Sequence, residues 1–148
     1  MGPDDASTVL ARSFSMLLID DKPDDARRVA EMFQARHTNV FCDSVEGIPK
    51  ACEYLHQTGE FVHADRPDLI LLNVGLPGPS DQDFLRIRQS TPDWWDIPVI
   101  AFSSPGSEAD REACLAKGAD VYAVKPADWE EWRVILSALI KVYSRRRL

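Results

Sequence analysis

Polar side chains follow four apolar runs of this sequence, at the point where each run ends. They are Asp20 and Asp21 after FSMLLI, Asn73 after LILL, Ser103 after IPVIAF, and Lys125 after VYAV. Paired carboxylates repel one another unless a cation joins them. Mg²⁺ suits such a pair, because it takes one or two carboxylates and keeps several waters. A hydroxyl and an ammonium facing that ion are suited to contacting a phosphoryl group.

Alternating strands and helices are needed to bring these residues to one place. The sequence predicts strands at Phe14–Ile19, Asn39–Cys42, Leu69–Val74, Ile97–Phe102 and Val121–Val124. It predicts helices from Pro23, from Val45 to near Gly59, from Asp81 to Ser90, from Ser107 to Lys117 with Gly118 as a stop, and from Asp128 to Ser144. Five such repeats predict an α/β fold with one doubly wound parallel sheet, and ligands bind where its strands end.

Length and composition limit the class of protein. The 148 residues predict one domain, residues 14–148, after a flexible lead-in at residues 1–13. A net charge of −7 argues against nucleic-acid binding as the main task. No apolar stretch approaches the roughly 20 residues of a membrane span, and the N-terminus lacks the order of a signal peptide. Three scattered cysteines fit a reducing compartment, so we expect a cytoplasmic protein without disulfides, zinc or an organic cofactor.

From residue 15 to residue 143, the sequence resembles the receiver domains of two-component response regulators. The matching stretches are Asp20-Asp21, LILL with LP after it, Ser103 after IPVIAF, and KGADVYAVKP with Lys125 before a proline. DKPDDARRV and the Gly59–Arg66 loop resemble the single-domain regulators that work beside bacterial phytochromes. The resemblance implies a CheY-like, flavodoxin-like sheet in the order 2-1-3-4-5 with five helices.

The resemblance also implies a role for each residue at the strand ends. Asp20, Asp21 and Gly75 would hold Mg²⁺. Ser103 and Lys125 would contact a phosphoryl group that arrives from a kinase histidine. In the fifth strand, Tyr122 stands where receivers carry the aromatic residue whose rotation accompanies activation.

Asn73 occupies the position at which receivers carry the phosphate-accepting aspartate. A carboxylate attacks phosphorus and leaves an acyl phosphate, whereas an amide oxygen is a far poorer nucleophile. The change also removes one negative charge, so we expect Mg²⁺ binding to be weakened. We expect the Asn73 oxygen to accept a hydrogen bond from Lys125, and its amide to donate to Asp20 or Asp21. The stretch GPSDQD at 78–83 also departs from the family, because it lacks an acid-glycine pair.

Several alternatives to a phosphorylation-independent receiver stay open at this point. Asn73 could serve only as a turn residue, or could be an engineered substitution in a parent that carries aspartate. A receiver could also be phosphorylated at another residue, with Asp21 as the conceivable acceptor. A flavodoxin-like enzyme or cofactor protein belongs to a different class. Against it, DDKPDD follows the first strand, where a phosphate loop would need small and hydroxyl residues, and no Walker A pattern occurs.

The output of such a domain must go through its surface. We expect no enzymatic activity, no output domain after residue 148, and a sensor histidine kinase or other signalling protein as partner. The surface formed by the fourth helix, fifth strand and last helix is the predicted homodimer interface. Trp129, Trp132 and Tyr143 are large for a terminal helix; we expect most of this stripe to be core and an exposed remainder to support dimerisation. Of Trp94 and Trp95, we expect one to pack inward and an exposed one to be a candidate anchor for a partner.

Overall fold

The computed structural model describes residues 13–34, 39–75, 81–104 and 111–145, and within them five strands and five α-helices alternate. The strands are β1 (Phe14–Ile19), β2 (Val40–Val45), β3 (Leu69–Asn73), β4 (Val99–Ser103) and β5 (Val121–Val124). The helices are α1 (Pro23–Gln34), α2 (Ile48–His56), α3 (Asp81–Gln89), α4 (Arg111–Ala116) and α5 (Trp129–Arg145). Short 3-10 turns at Gly59–Phe61 and Pro92–Trp94 precede β3 and β4. The predicted alternation is confirmed.

The strands form one parallel sheet in the order β2-β1-β3-β4-β5, as predicted. The order reverses between β1 and β3, so the fold provides a ligand crevice at their carboxyl ends. Adjacent strands are in register such that Ile19 pairs with Leu72, and the tip of β3 pairs with Phe102. Ser103 at the end of β4 pairs in turn with Val124. The polar residues that end the strands therefore lie along one edge of the sheet.

The core consists of two layers, one on each face of the sheet. On one face, α1 and α5 pack against the strands, and Trp132 and Leu136 are almost completely buried. On the other face, α2, α3 and α4 bury side chains such as Phe84 and Cys114. The central strands β3 and β4 are buried on both faces, which explains their continuous apolar sequences. Full burial of each such Leu or Ile contributes about 1.5–3 kcal/mol, so the strand ends rest on a substantial core.

The bounds of β2 differ from the prediction. The strand extends beyond the predicted Asn39–Cys42, and Val45 is its last residue, not the first of a helix. Val45 is buried and pairs with Ile19 in the sheet. The extension was not predicted because Asp43 and Ser44 interrupt the apolar pattern. Both are exposed polar residues in an edge strand.

The ends of β3 and β4 differ by one or two residues from the prediction. β3 ends at Asn73, and β4 runs from Val99 to Ser103, so both polar residues belong to their strands. Ile97 lies outside β4, because its amide donates to the carbonyl of Trp94 in the preceding 3-10 turn. Trp94 is buried and Trp95 is 60% exposed, which confirms that one of the two tryptophans packs inward.

Gly118 ends the segment that follows α4, as predicted. Its φ of +104° is a conformation that glycine adopts without steric cost. The guanidinium of Arg88, on α3, donates to the carbonyl oxygens of Gly118 and Ile97, each at 2.8 Å. Arg88 is only 7% exposed, so this side chain ties α3 to the turn before β5 and to the segment before β4.

Some predicted features lie outside the described residues. They are the lead-in up to residue 12, the start of the fourth helix at Ser107, residues 78–80 of GPSDQD, and the chain after residue 145. Within the described part of the chain, no helix has the length and apolar character needed to cross a membrane.

Candidate functional site at the carboxyl ends of the strands

Asp20 is the carboxylate at the centre of the strand-end site. Its side chain is 1% exposed, and one oxygen accepts a hydrogen bond from the backbone amide of Lys22 at 2.9 Å. Burial raises the pKa of Asp20 above its usual value, and this outweighs the stabilising effects of the Lys22 amide and of the Lys125 ammonium. A charged Asp20 is therefore costly even beside the Lys125 ammonium.

Asn73 lies beside Asp20, because β1 and β3 are paired directly before these two residues. The Asn73 side-chain amide donates to Asp20 Oδ1 over 3.4 Å, a long hydrogen bond. The next residue, Val74, donates its backbone amide to the Phe102 carbonyl at 2.7 Å, which fixes the strand tip against β4. The predicted contact between the Asn73 amide and an aspartate is therefore present.

Lys125 contacts two carboxylates. Its ammonium lies 3.3 Å from Asp25 Oδ2 and 3.7 Å from Asp20 Oδ2. The hydrogen bond that the Asn73 oxygen could accept from Lys125 is not among the contacts of the described residues. The physical reason is the presence of Asp25 in the first turn of α1, since a charged carboxylate attracts an ammonium more strongly than an amide oxygen does.

Asp25 is the site residue that sequence reasoning missed. The pattern of α1 assigned it to the helix dipole, because it lies in an acidic first turn. The position of Asp25 in the chain could nevertheless have placed it at the site. A helix that begins directly after the first strand of such a sheet places its first turn at the ligand crevice, so a carboxylate there lies close to the strand ends.

Ser103 and Tyr122 are both buried, at 1% and 5% exposure. The Ser103 hydroxyl makes no hydrogen bond to any described residue, which leaves its donor free for a ligand. Tyr122 is packed in the core layer on the α2, α3 and α4 face. The backbone amide of Lys125 donates to the Ser103 carbonyl at 2.8 Å, so the ends of β4 and β5 are held together.

The predicted donor set for a metal consists of the Asp20 and Asp21 carboxylates and the Gly75 carbonyl. Asp21 is exposed, and Gly75 has a φ of +89° in the turn that follows β3. No group of three or more acidic, histidine or cysteine side chains among the described residues is placed to hold an ion. These residues fit Mg²⁺ bound by few protein ligands and several waters, because that ion is commonly held by one or two carboxylates.

A cavity of about 340 Å³ borders the aspartate pair. Besides Asp20 and Asp21, its lining includes the charged residues Glu46, Lys50 and Glu60. Lys50 lies 2.7 Å from Glu60, which is part of the 3-10 turn before β3. The cavity therefore reaches the aspartate pair from the side of the exposed Asp21, and its acidic lining favours the approach of cations.

The sequence profile of the response regulator receiver domain matches residues 16–137. This chain belongs to the response regulator receiver family. PhoP of Pseudomonas aeruginosa, a two-component response regulator, is 35% identical over 97 residues, which are 66% of this chain and 40% of PhoP. The chain thus spans less than half the length of that relative. The response regulator Rcp1 of Synechocystis is 28% identical over 110 residues, which are 74% of this chain and 75% of Rcp1.

Solved structures show the same receiver fold. The phosphorylated cyanobacterial phytochrome response regulator RcpA aligns with a TM-score of 0.78 at 27% identity, over 88% of this receiver and 94% of RcpA. The Mn²⁺-bound form of Rcp1 aligns with a TM-score of 0.74 at 24% identity, over 86% of this receiver and 91% of Rcp1. The predicted likeness to regulators associated with phytochromes is confirmed.

The strand-end site of this receiver brings together Asp20, Asn73, Ser103 and Lys125, as the sequence predicted. Asp25 also belongs to this site through its contact with Lys125, and Asp21 lies at the exposed edge of the site. The functional roles of these residues remain predictions.

Proposed function

We propose that this receiver acts in two-component signal transduction as a protein-interaction module whose phosphorylation is blocked at Asn73. The observation that carries the proposal is the position of this amide. It lies at the tip of β3, paired with Phe102 and bonded to Asp20, in a pocket that otherwise keeps its polar residues.

The block has a chemical basis. In phosphoryl transfer, the nucleophile forms a bond to phosphorus while the leaving group departs, and surrounding cations stabilise the charge. A hydroxyl such as that of Ser103 and an ammonium such as that of Lys125 are the groups that would contact and neutralise a phosphoryl group. The amide oxygen of Asn73 is the missing component, because it is a weak nucleophile and gives no stable acyl phosphate.

A divalent cation would bind through Asp20 and Asp21, with the Gly75 carbonyl as a further oxygen ligand. A form of Rcp1, which shares the fold, holds Mn²⁺, and this supports a divalent cation, though not a particular ligand set, in this receiver. When bound, such an ion would neutralise charge at the strand ends. With a neutral residue at position 73, we expect it to bind more weakly than in a receiver with a third carboxylate.

The proposed partners are a sensor histidine kinase or another signalling protein in the cytoplasm, and a second copy of this chain. Apolar side chains remain partly exposed on α4, β5 and α5. They are Leu115, Val124, Val134 and Val142. Trp132 and Tyr143 are buried, as expected for most of the aromatic stripe, and the exposed remainder of α5 includes Val134 and Val142, each 53% exposed. A homodimer through these three elements would cover that surface.

Phosphoryl labelling tests the proposal. The native chain and N73D are incubated with Mg²⁺ and acetyl phosphate, and their intact masses are measured. We expect only N73D to gain a phosphoryl group. Absence of labelling in both would mean that more than residue 73 separates this site from phosphoryl transfer.

Labelling of the native chain would contradict the block and favour a receiver that is phosphorylated elsewhere. Asp21 is the candidate acceptor, because it is the exposed member of the aspartate pair. D21N is the matched variant for that outcome, since it should abolish labelling of the native chain if Asp21 is the acceptor.

A further inference from the structure

The Lys125 ammonium lies next to a carboxylate of α1, that of Asp25. Of its two carboxylate partners, Asp25 is the nearer, at 3.3 Å, and Asp20 is at 3.7 Å. The side chains of Lys125 and Asp25 are only 20% and 27% exposed, so water screens this pair less than a surface pair. Asp25 and Lys125 are 100 residues apart in sequence, and only the fold brings them together.

The charges of the site explain why such a carboxylate is present. Asn73 is neutral, so the tip of β3 provides no counter-ion for the Lys125 ammonium. Asp20 is shared, because its other oxygen accepts from the Lys22 amide and from Asn73. Without Asp25, the shared carboxylate of Asp20 would be the one partner left to this largely buried ammonium among the described residues, and an incompletely paired charge in such a place is costly.

We propose that Asp25 is a positioning residue, which takes over the counter-ion role vacated at position 73 and holds Lys125 on the α1 side of the site. The inference rests on the proposed block at Asn73 and deepens it. The site then has two barriers to phosphoryl transfer. One is the absent nucleophile, and the other is a lysine that must leave Asp25 before it can contact a phosphoryl group at the tip of β3.

The second barrier becomes measurable once a nucleophile is restored. In N73D, an oxygen of the new carboxylate forms a bond to the phosphorus of acetyl phosphate, while the bond from phosphorus to the acetate oxygen breaks and acetate leaves. Mg²⁺ and Lys125 would neutralise the transferred group. Asp25 competes for Lys125 in this step, so its removal should accelerate the transfer.

The test compares N73D, N73D/D25N and N73D/D24N with Mg²⁺ and acetyl phosphate, and follows the rate of phosphoryl labelling by intact mass. Asp24 is the matched control, because it is the neighbouring acid, is 84% exposed and pairs with Arg27 on the surface. We expect D25N to raise the rate about two- to fivefold, the factor that corresponds to a partly exposed ion pair, and D24N to leave it unchanged. Equal rates for all three variants, or no labelling of any, would overturn the proposal.

A second measurement in the native chain does not depend on labelling. Urea unfolding of the native chain, D25N, K125M and D25N/K125M gives the coupling between the two side chains. We expect a coupling of about two- to fivefold in the unfolding equilibrium constant, and none between D24N and K125M. Absence of coupling would overturn the assignment of Asp25. Labelling of the native chain, by contrast, would contradict the block at Asn73 and leave the measured coupling intact, so the two failures are distinguishable.

Discussion

The side-chain amide of Asn73 donates to the carboxylate of Asp20 over 3.4 Å, and this contact joins the ends of two adjacent strands. Aspartate at position 73 could make no such contact while both carboxylates are charged, because neither would have a proton to donate. The amide therefore links β1 to β3 without a metal ion. It also supplies a donor to a buried carboxylate whose pKa is raised by desolvation.

Mg²⁺ affinity should increase when a third carboxylate is added. We expect N73D to bind Mg²⁺ about tenfold more tightly than the native chain, because one more negative charge lies near the ion. Isothermal titration calorimetry at constant ionic strength measures the difference. N73S is the control, since it shortens the side chain without adding charge, and equal affinities of N73D and N73S would contradict the prediction.

D20N should stabilise the fold at neutral pH. Burial makes the Asp20 carboxylate costly, and the amide keeps an acceptor for Lys22 without the charge. We expect the free energy of unfolding to rise by about 0.5–2 kcal/mol, the usual range for a stabilising substitution, as measured with urea.

The gain from D20N should depend on pH. The pKa of Asp20 is raised in the folded state, so the Asp20 carboxylate becomes protonated at a higher pH in the folded protein than in the unfolded chain. The contribution of Asp20 to stability therefore falls as pH rises from 3.8, the usual value, through the raised pKa. We expect the difference between D20N and the native chain to shrink as pH is lowered toward 3.8. A difference that stays constant with pH would contradict this origin.

Arg88 should be essential for stability, whereas Arg86 on the same helix should not. R88M would leave the Gly118 and Ile97 carbonyls without their buried donor, and we expect a loss of about 2–4 kcal/mol in the free energy of unfolding. R86M is the control, because Arg86 is 65% exposed and pairs with Asp83 on the surface. It should change stability by less than about 0.5 kcal/mol. Similar losses in both variants would show that the substitutions destabilise the α3 helix itself and do not act through the hydrogen bonds of Arg88.

Charge on the exposed face of α5 should weaken the proposed homodimer. We expect V134E/V142E to raise the dimer dissociation constant about thirtyfold or more, because a two-fold interface brings like charges together. Sedimentation velocity over a range of protein concentrations measures this constant. V62E is the matched control, since Val62 is 57% exposed on a different part of the surface. An equal effect of V62E, or no effect of V134E/V142E, would argue against this interface.

Most of the architecture could be predicted from sequence, because burial leaves strong patterns. The runs that became β3 and β4 are continuous and apolar, and only strands buried on both faces need that pattern. β2 was the exception. It lies at the edge of the sheet, where Asp43 and Ser44 are exposed and the apolar pattern fails before Val45.

The sequence by itself located the carboxyl ends of β1, β3, β4 and β5 to within about one residue, and hence predicted that Asp20, Asn73, Ser103 and Lys125 lie at one edge of the sheet. It also determined that the residue at the tip of β3, Asn73, is an amide. Only the tertiary structure decided how these residues pair. The partner of Lys125 depends on where the first turn of α1 lies relative to β5, and that distance is set by core packing between segments 100 residues apart. Local sequence patterns contain no information on such a distance, so the contact between Asp25 and Lys125 could be recognised only in the folded chain.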